Sequence, residues 1–199
     1  MEEPVKQPYI DRKQIEAIAT TWHHGQTRKD GKPYITHPIA VADIALYIIM
    51  TLHGYATSKE QIEFYDRNSE YVVSGTAILH DVLEDSACTE EDLKIYKINP
   101  LTIEAVSILN KNRYSNYYNY INSIASGTPL YVPTNVARIV KYSDIIHNLH
   151  KQDNKHKADK YRFAIDVLYR TFSEELAHKN CVAYDKIIEH KYIKDILDR

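Results

Sequence analysis

An apolar stretch of the sequence, ILHDVLED at residues 78–85, carries four side chains that could do chemistry: His80, Asp81, Glu84 and Asp85. On an α-helix each residue advances by about 100°, so Asp81, Glu84 and Asp85 lie at about 100°, 40° and 140° from His80. The four side chains would share one face of the helix, and apolar residues would fill the rest. Buried carboxylates are costly unless a positive group compensates them. This stripe therefore predicts either an exposed face or a bound cation.

Two other segments supply matching side chains. The stretch PYITHPIAVA places His37 at the start of a predicted helix, and VKYSDIIHNLH places Asp144 inside another apolar helix. His147 and Asn148 follow Asp144 at three and four positions, so they share its face. Taken singly, His37 is more often a turn histidine and Asp144 a cap or surface acid. Their joint appearance with the HD dipeptide favours a metal site.

Together, four residues would offer two nitrogen and two oxygen ligands: His37, His80, Asp81 and Asp144. This set suits a divalent first-row ion such as Mn²⁺, Fe²⁺ or Zn²⁺, with positions left for water. Such an ion lowers the pKa of its water and yields a nucleophile near neutral pH. Glu84, one turn beyond His80, is in place to orient or deprotonate that water. The pattern predicts metal-assisted hydrolysis.

A basic loop, GQTRKDGKPY, precedes the first histidine and contains Arg28 and Lys29. Arginine offers a bidentate fork to phosphate, and lysine offers a point charge. Such a loop alone is usually a solvated surface. Next to His37 it favours a phosphate-binding role.

The elements that must position these residues are predicted to be helices. The 199-residue chain has only 5 glycines and 7 prolines, few for an all-β fold with many tight turns. Thr89, with Asp92 three positions later, predicts a helix N-cap. Residues 159–199 alternate charged and apolar types, and we expect them to pack on the core. The prediction is one all-α domain over 1–199, with helices over 10–24, 72–83, 101–109 and 134–150.

Composition limits the classes of partner. A net charge of −2 gives no overall electrostatic attraction to nucleic acid or to an anionic membrane. The two cysteines, Cys88 and Cys181, form no disulfide framework or CxxC motif. No signal-peptide pattern and no apolar stretch of bilayer length is present. We therefore expect a soluble, cytoplasmic protein with a small-molecule substrate.

Three segments resemble the successive motifs of one family: HHGQTRKDGKPYITHPIAVA, AILHDVLED and VKYSDIIHNL. They are similar to those of HD-domain hydrolases of the RelA/SpoT type. A chain this short, without a synthetase domain, resembles the small alarmone hydrolases in particular. The resemblance covers about residues 20–150 and implies a compact, multi-helix HD-domain bundle.

The resemblance also implies an activity: removal of the 3′-pyrophosphate from guanosine tetra- and pentaphosphate, (p)ppGpp, releasing GDP or GTP. It implies that one manganese ion is bound by His37, His80, Asp81 and Asp144. It further implies that Glu84 and Asp85 are catalytic acids and that Arg28 and Lys29 contact the substrate. Asn148 would shape the nucleotide pocket, and His24 would support the basic loop.

The chain departs from the family pattern in several places. The connection between His37 and His80 is longer than usual, and the extra residues lie at about 53–71, with an open role. Ile146 stands where the family has arginine, so any substrate contact made by that arginine would be absent here. Lys111 stands where relatives have the lysine of a Thr-Lys pair, and it could reach a phosphate.

A tyrosine-dense segment over 114–120 contains Tyr114, Tyr117, Tyr118 and Tyr120. Tyrosine rings can stack on a purine, but ordinary packing is the favoured interpretation of this spacing.

Other functions remain open at this point. The same site could act on an adenosine alarmone or remove a phosphate from NADPH. A non-catalytic regulatory protein with an HD fold would be expected to lose a ligand or the Glu84-Asp85 pair, and both are present. Pairing with an alarmone synthetase, whose product the enzyme would destroy, is compatible with the leading hypothesis. The sequence leaves the oligomeric state unknown.

Overall fold

The computed structural model describes residues 10–54, 69–128, 131–150, 153–175 and 182–198. Within these ranges the regular structure is helical and contains no β-strand, which confirms the predicted all-α class. None of the described helices combines the length and the apolar character that crossing a lipid bilayer requires. The α-helices in chain order are α1 (Arg12–Trp22), α2 (Thr36–Gly54), α3 (Ser74–Leu79), α4 (Val82–Asp85), α5 (Glu90–Ile95), α6 (Pro100–Leu109), α7 (Tyr117–Ala125), α8 (Val132–His150), α9 (Lys155–Glu175), α10 (Tyr184–Glu189) and α11 (Lys191–Leu197).

Helices α2 and α8 form the centre of the fold. They pack against each other, α3 packs on α2, and α6 and α9 pack on α8. Both central helices are rich in fully buried aliphatic side chains, such as Ile44 and Ile48 in α2 and Ile145 in α8. A buried helix pair of this kind holds polar side chains on its inner surface at fixed positions, because close packing restricts their rotamers.

The predicted helix over 72–83 is interrupted, and that prediction was wrong. A π-helical turn at Ser69–Val73 leads into α3, the chain leaves the α-helix at His80 and Asp81, and α4 follows. Asp81 has φ −101° and ψ −7°, values outside the ordinary helical range. In a continuous helix these neighbouring side chains would diverge by about 100°. At the break, Asp81 Oδ2 lies 3.0 Å from His80 Nε2.

The predicted N-cap at Thr89 is confirmed. The Thr89 hydroxyl accepts from the amide of Asp92, and the Asp92 carboxylate accepts from the amide of Thr89. Aspartate thus completes the reciprocal pair that usually has Glu or Gln. Helix α5 is short, so its first turn depends strongly on this cap.

The described C-terminal helices pack on the core. Ile165, Leu168 and Phe172 of α9 are buried, while Phe163 and Val167 pack against the core from its edge. Helix α11 packs against α2. Most of the long connection at 53–71 lies outside the described residues, as does Cys181.

Candidate metal centre

The structure brings the four predicted ligands together from three elements. His37 is in the first turn of α2, His80 and Asp81 lie at the break between α3 and α4, and Asp144 is in the middle of α8. His37 Nε2 lies 3.1 Å from Asp144 Oδ1, and His80 Nε2 lies 3.0 Å from Asp81 Oδ2. The two remaining histidine–aspartate distances are both 3.7 Å. One donor atom each of His37, His80 and Asp144 lies within 4.8 Å of the others, and Asp81 Oδ2 lies beside both histidines.

The state of His80 shows that this cluster suits a cation. Its Nδ1 lies 2.7 Å from the carbonyl oxygen of Ala77, which can only accept, so Nδ1 carries the hydrogen. Its Nε2 is buried and has no aligned hydrogen-bond partner among the described residues. A neutral ring would turn the Nε2 lone pair towards carboxylate oxygens, which is repulsive unless a positive charge lies between them. The donor set fits a divalent ion of the Mn²⁺, Fe²⁺ or Zn²⁺ type.

Without a metal ion, a proton takes this place. Burial disfavours the charged form of His80, but the carboxylates of Asp81 and Asp144 outweigh burial and raise the pKa of His80 to about 10. Burial likewise opposes ionisation of Asp81, yet the His80 charge holds the pKa of that carboxyl well below its usual range. The cluster therefore keeps a positive charge between two carboxylates.

Both predicted aspartate ligands are held by further side chains. The Tyr34 hydroxyl donates to Asp81 Oδ2 at 2.5 Å, and Lys141 Nζ donates to Asp144 Oδ2 at 2.8 Å. Asn148 Nδ2 donates to Asp144 Oδ1 at 2.5 Å. These partners fix ligand orientation. Sequence reasoning missed Tyr34 and Lys141, although both lie three positions from a predicted ligand.

His147 lies on the face of α8 that its spacing from Asp144 predicts. Its Nδ1 is 2.9 Å from Nδ1 of His37, so one of these nitrogens donates and the other accepts. This contact orients the His37 ring so that Nε2 faces the cluster.

The two predicted catalytic acids lie beside the cluster. Carboxylate oxygens of Asp81, Glu84 and Asp85 lie within 4.8 Å of one another. Burial, followed by the charge of Asp81, raises the pKa of Asp85. Lys111, predicted to reach a phosphate, contacts Glu84 through its ammonium, and its amide donates to Glu84 Oε2 at 3.3 Å. The Lys111 side chain is 53% exposed, so a ligand can also reach it.

The loop over 23–35 is hydrogen-bonded to the segment that contains Glu84 and Asp85. Gln26 Nε2 donates to the carbonyl of Asp85 at 2.8 Å, and Gln26 Oε1 lies 2.9 Å from Nδ1 of the buried His23. Gly25 and Gly31 turn the loop with φ of +76° and +83°. His23 supports this loop, whereas His24 is exposed, so the expected role of His24 was wrong.

A cavity of about 890 Å³ adjoins the cluster. The predicted substrate residues Arg28, Lys29 and Asn148 line it, and Arg28 donates to Asn148 Oδ1 at 3.4 Å. Lys157 of α9 and Leu197 of α11 also line the cavity, a contribution that sequence reasoning missed. Nothing in their local sequence marks them, because only the packing of α9 and α11 brings them there.

The tyrosine-dense segment packs within the protein. Tyr120 is buried, and the rings of Tyr114 and Tyr117 lie 5.3 and 6.1 Å from it. Tyr118 lies against Phe163. Of the described residues that line the cavity, none is among these four. Ile146, at the family's arginine position, is fully buried in the core.

Known proteins resemble this chain in sequence. It is 33% identical over 118 residues to the guanosine-3′,5′-bis(diphosphate) 3′-pyrophosphohydrolase of Vibrio cholerae, covering 55% of this chain and 14% of that protein. It is 28% identical over 189 residues to the protein of the same name in Borreliella burgdorferi, covering 89% of this chain and 25% of that one. The bifunctional (p)ppGpp synthase/hydrolase SpoT of Escherichia coli is 31% identical over 116 residues, which span 54% of this chain and 14% of SpoT. The chain therefore spans a quarter or less of these relatives' length. No family model matches the chain.

A solved structure shares the fold over nearly the whole length. It is described as a metazoan orthologue of SpoT that hydrolyses ppGpp and plays a role in starvation responses. The TM-score is 0.60 at 18% identity, and the alignment covers 93% of this chain and 97% of the other. The sequence matches and this common fold agree with the motif resemblance. In sequence the chain is similar to parts of these (p)ppGpp hydrolases of the RelA/SpoT type, and in fold it is similar to the solved structure.

Proposed function

We propose that the chain hydrolyses (p)ppGpp, releasing the 3′-pyrophosphate and leaving GDP or GTP. One observation carries the proposal: a cluster of two histidines and two aspartates, in which His80 Nε2 has no aligned hydrogen-bond partner among the described residues, lies beside Glu84 and Asp85. Relatives whose names specify this reaction are similar to the chain in sequence.

We propose Mn²⁺ as the ion, held by His37, His80, Asp81 and Asp144, with Fe²⁺ and Zn²⁺ as less favoured alternatives. When bound, a divalent cation supplies Lewis-acid chemistry, which activates water near neutral pH and neutralises phosphate charge. This assignment is supported by the two nitrogen and two oxygen donors and by the buried His80 Nε2, which faces the carboxylates of Asp81 and Asp144.

The acids and cations around the cluster receive distinct roles. Glu84, whose side chain is 10% exposed, takes the proton of the attacking water as general base. Asp85 has a raised pKa and donates a proton to the departing ribose 3′-oxygen. Lys111 binds a substrate phosphate. Its side chain is exposed to a ligand, and its position beside Glu84 places the ammonium next to the proposed general base.

The cavity binds the nucleotide. Arg28 and Lys29 hold phosphate oxygens at its basic wall, and Asn148 links that wall to Asp144. Holding the phosphates and the catalytic acids in one geometry lowers the entropic part of the barrier.

The first experiment measures pyrophosphate and GDP released from guanosine tetraphosphate by metal-stripped protein, with and without added Mn²⁺. We expect Mn²⁺-dependent release that Asp81→Ala abolishes. Asp159→Ala removes an exposed acid on α9 and is the matched control, expected to retain wild-type activity. Glu84→Gln should bind Mn²⁺ normally but lose about 10²- to 10⁴-fold in kcat.

A panel with NADPH and guanosine and adenosine tetraphosphates separates the alternatives. Turnover of NADPH alone, or of the adenosine nucleotide alone, would contradict the proposed substrate and retain the metal centre. Mn²⁺ binding without turnover of any nucleotide would favour the regulatory protein. The cytoplasmic location and the pairing with an alarmone synthetase stay predictions.

A further inference from the structure

Lys141 is a buried ammonium that the proposed reaction does not use. It lies on α8 one turn before Asp144, and its side chain is only 13% exposed. Its Nζ donates to Asp144 Oδ2 at 2.8 Å. Lysine is rarely buried without a paired charge, so this ion pair is a specific feature of the site.

The two oxygens of Asp144 have separate partners. Oδ1 faces the cluster, 3.1 Å from His37 Nε2, while Oδ2 faces away from it towards Lys141. Together with Asn148, which donates to Oδ1, Lys141 fixes the rotation of the carboxylate, and Oδ1 stays directed at the two histidines.

The surroundings hold Lys141 in place. Its ammonium lies 5.2 Å from the centre of the Tyr120 ring, a distance at which the ring face attracts a cation. Tyr120 is itself fixed, since its hydroxyl donates to the carbonyl of Leu109 at 2.6 Å. The ammonium is therefore part of the rigid core, unlike an exposed lysine that samples many rotamers.

We propose that Lys141 is a positioning residue and the internal counter-ion of the metal centre. Its ammonium is paired with the carboxylate of Asp144 when no cation is bound, and its like charge weakens the binding of a divalent ion. This inference rests on the metal centre of the proposed function, and its test needs no nucleotide.

The test compares Lys141→Met with wild type in thermal unfolding and in Mn²⁺ titration calorimetry. Removing one partner of a buried ion pair leaves the other uncompensated, so the metal-free variant should unfold roughly 6 °C or more below wild type. Mn²⁺ then supplies the lost charge. We expect a larger Mn²⁺-induced rise in Tm than in wild type, and a Kd for Mn²⁺ lower by roughly fivefold or more.

The control is Lys94→Met. Lys94 forms an ion pair with Glu91 at 3.0 Å, also three residues apart, but the two side chains are 59% and 72% exposed. Exposed ion pairs contribute little to the free energy of unfolding, so Lys94→Met should have the Tm and the Kd for Mn²⁺ of wild type.

A second variant covers the case in which Lys141→Met does not fold. Lys141→Met combined with Asp144→Asn removes both charges, and it should fold in the metal-free state with weakened Mn²⁺ binding. A metal-free Lys141→Met protein as stable as wild type would overturn the proposal. A Lys141→Met protein that is less stable than wild type but binds Mn²⁺ with an unchanged or higher Kd would also overturn it, because that result would indicate a structural role alone. A protein that binds Mn²⁺ but releases no pyrophosphate contradicts only the proposed reaction.

Discussion

Tyr34 connects the loop of residues 23–35 to the proposed metal centre through one hydroxyl. That hydroxyl donates to Asp81 Oδ2 at 2.5 Å and lies 3.4 Å from Asp85 Oδ2. The ring packs against His23, with 4.7 Å between ring centres. Partners of this kind commonly matter as much to a metal site as its ligands do, because they fix ligand orientation.

We therefore expect Tyr34→Phe to lower kcat, or the affinity for Mn²⁺, by about 10- to 100-fold. The substitution keeps the ring and removes only the hydroxyl, so the fold should be retained. Steady-state kinetics and Mn²⁺ titration measure the two quantities.

Tyr131→Phe is the matched control for this substitution. The Tyr131 hydroxyl also donates to a carboxylate, that of Glu104, but the pair is exposed and outside the cluster. Activity equal to wild type in both variants would show that the Tyr34 hydroxyl has no functional role.

At the scale of elements, short helices depend on their ends. Helix α5 has only six residues, and its first amides are satisfied by the Thr89–Asp92 pair. Its one buried residue, Leu93, is fully enclosed in the core. The cap and this single anchor together hold the helix against α6.

Thr89→Ala should lower the free energy of unfolding by about 1 kcal/mol, since the alanine side chain cannot accept from the amide of Asp92. For a chain of this size the expected fall in Tm is roughly 2–4 °C. Urea unfolding measures the change. Thr89→Ser, which keeps the hydroxyl, should stay near wild type; equal losses in both variants would assign the effect to the lost methyl group instead.

At the scale of the whole molecule, the buried charges make stability depend on pH. The pKa of His80 is about 10 in the metal-free protein, against 6.5 for an unperturbed histidine. Its protonation stabilises the fold fully below pH 6.5, and this contribution is lost as pH rises through about 10. The depressed pKa of Asp81 acts at acid pH, where its contribution is lost as pH falls through that pKa.

We expect the Tm of the metal-free protein to fall between about pH 7 and pH 10 more steeply in wild type than in His80→Gln. In the proposed metal centre a divalent cation would take the place of the proton. The Mn²⁺-induced rise in Tm should therefore grow with pH, up to the pH at which Mn²⁺ precipitates as hydroxide. Thermal unfolding in metal-free and Mn²⁺ buffers measures both. Parallel curves for wild type and His80→Gln would contradict the assigned protonation of His80.

The sequence alone determined the helical class, the segments that meet at the site and the types of donor. Apolar periodicity and residue chemistry are local properties, so His37, His80, Asp81 and Asp144 could be selected without coordinates. The Thr89 cap was also predictable, since both of its partners lie within one turn.

Only the tertiary structure decided the rest. Helix propensity does not predict the break at His80–Asp81, because an HD dipeptide within an apolar run is compatible with a continuous helix. The position of the break depends on the packing of α3 on α2 and α8. Tyr34 and Lys141 acquire their roles through distances to carboxylates that a sequence does not contain. Lys157 and Leu197 reach the cavity through the packing of α9 and α11. Spacing along a chain fixes the direction of a side chain within one element, whereas contacts between elements depend on how those elements pack.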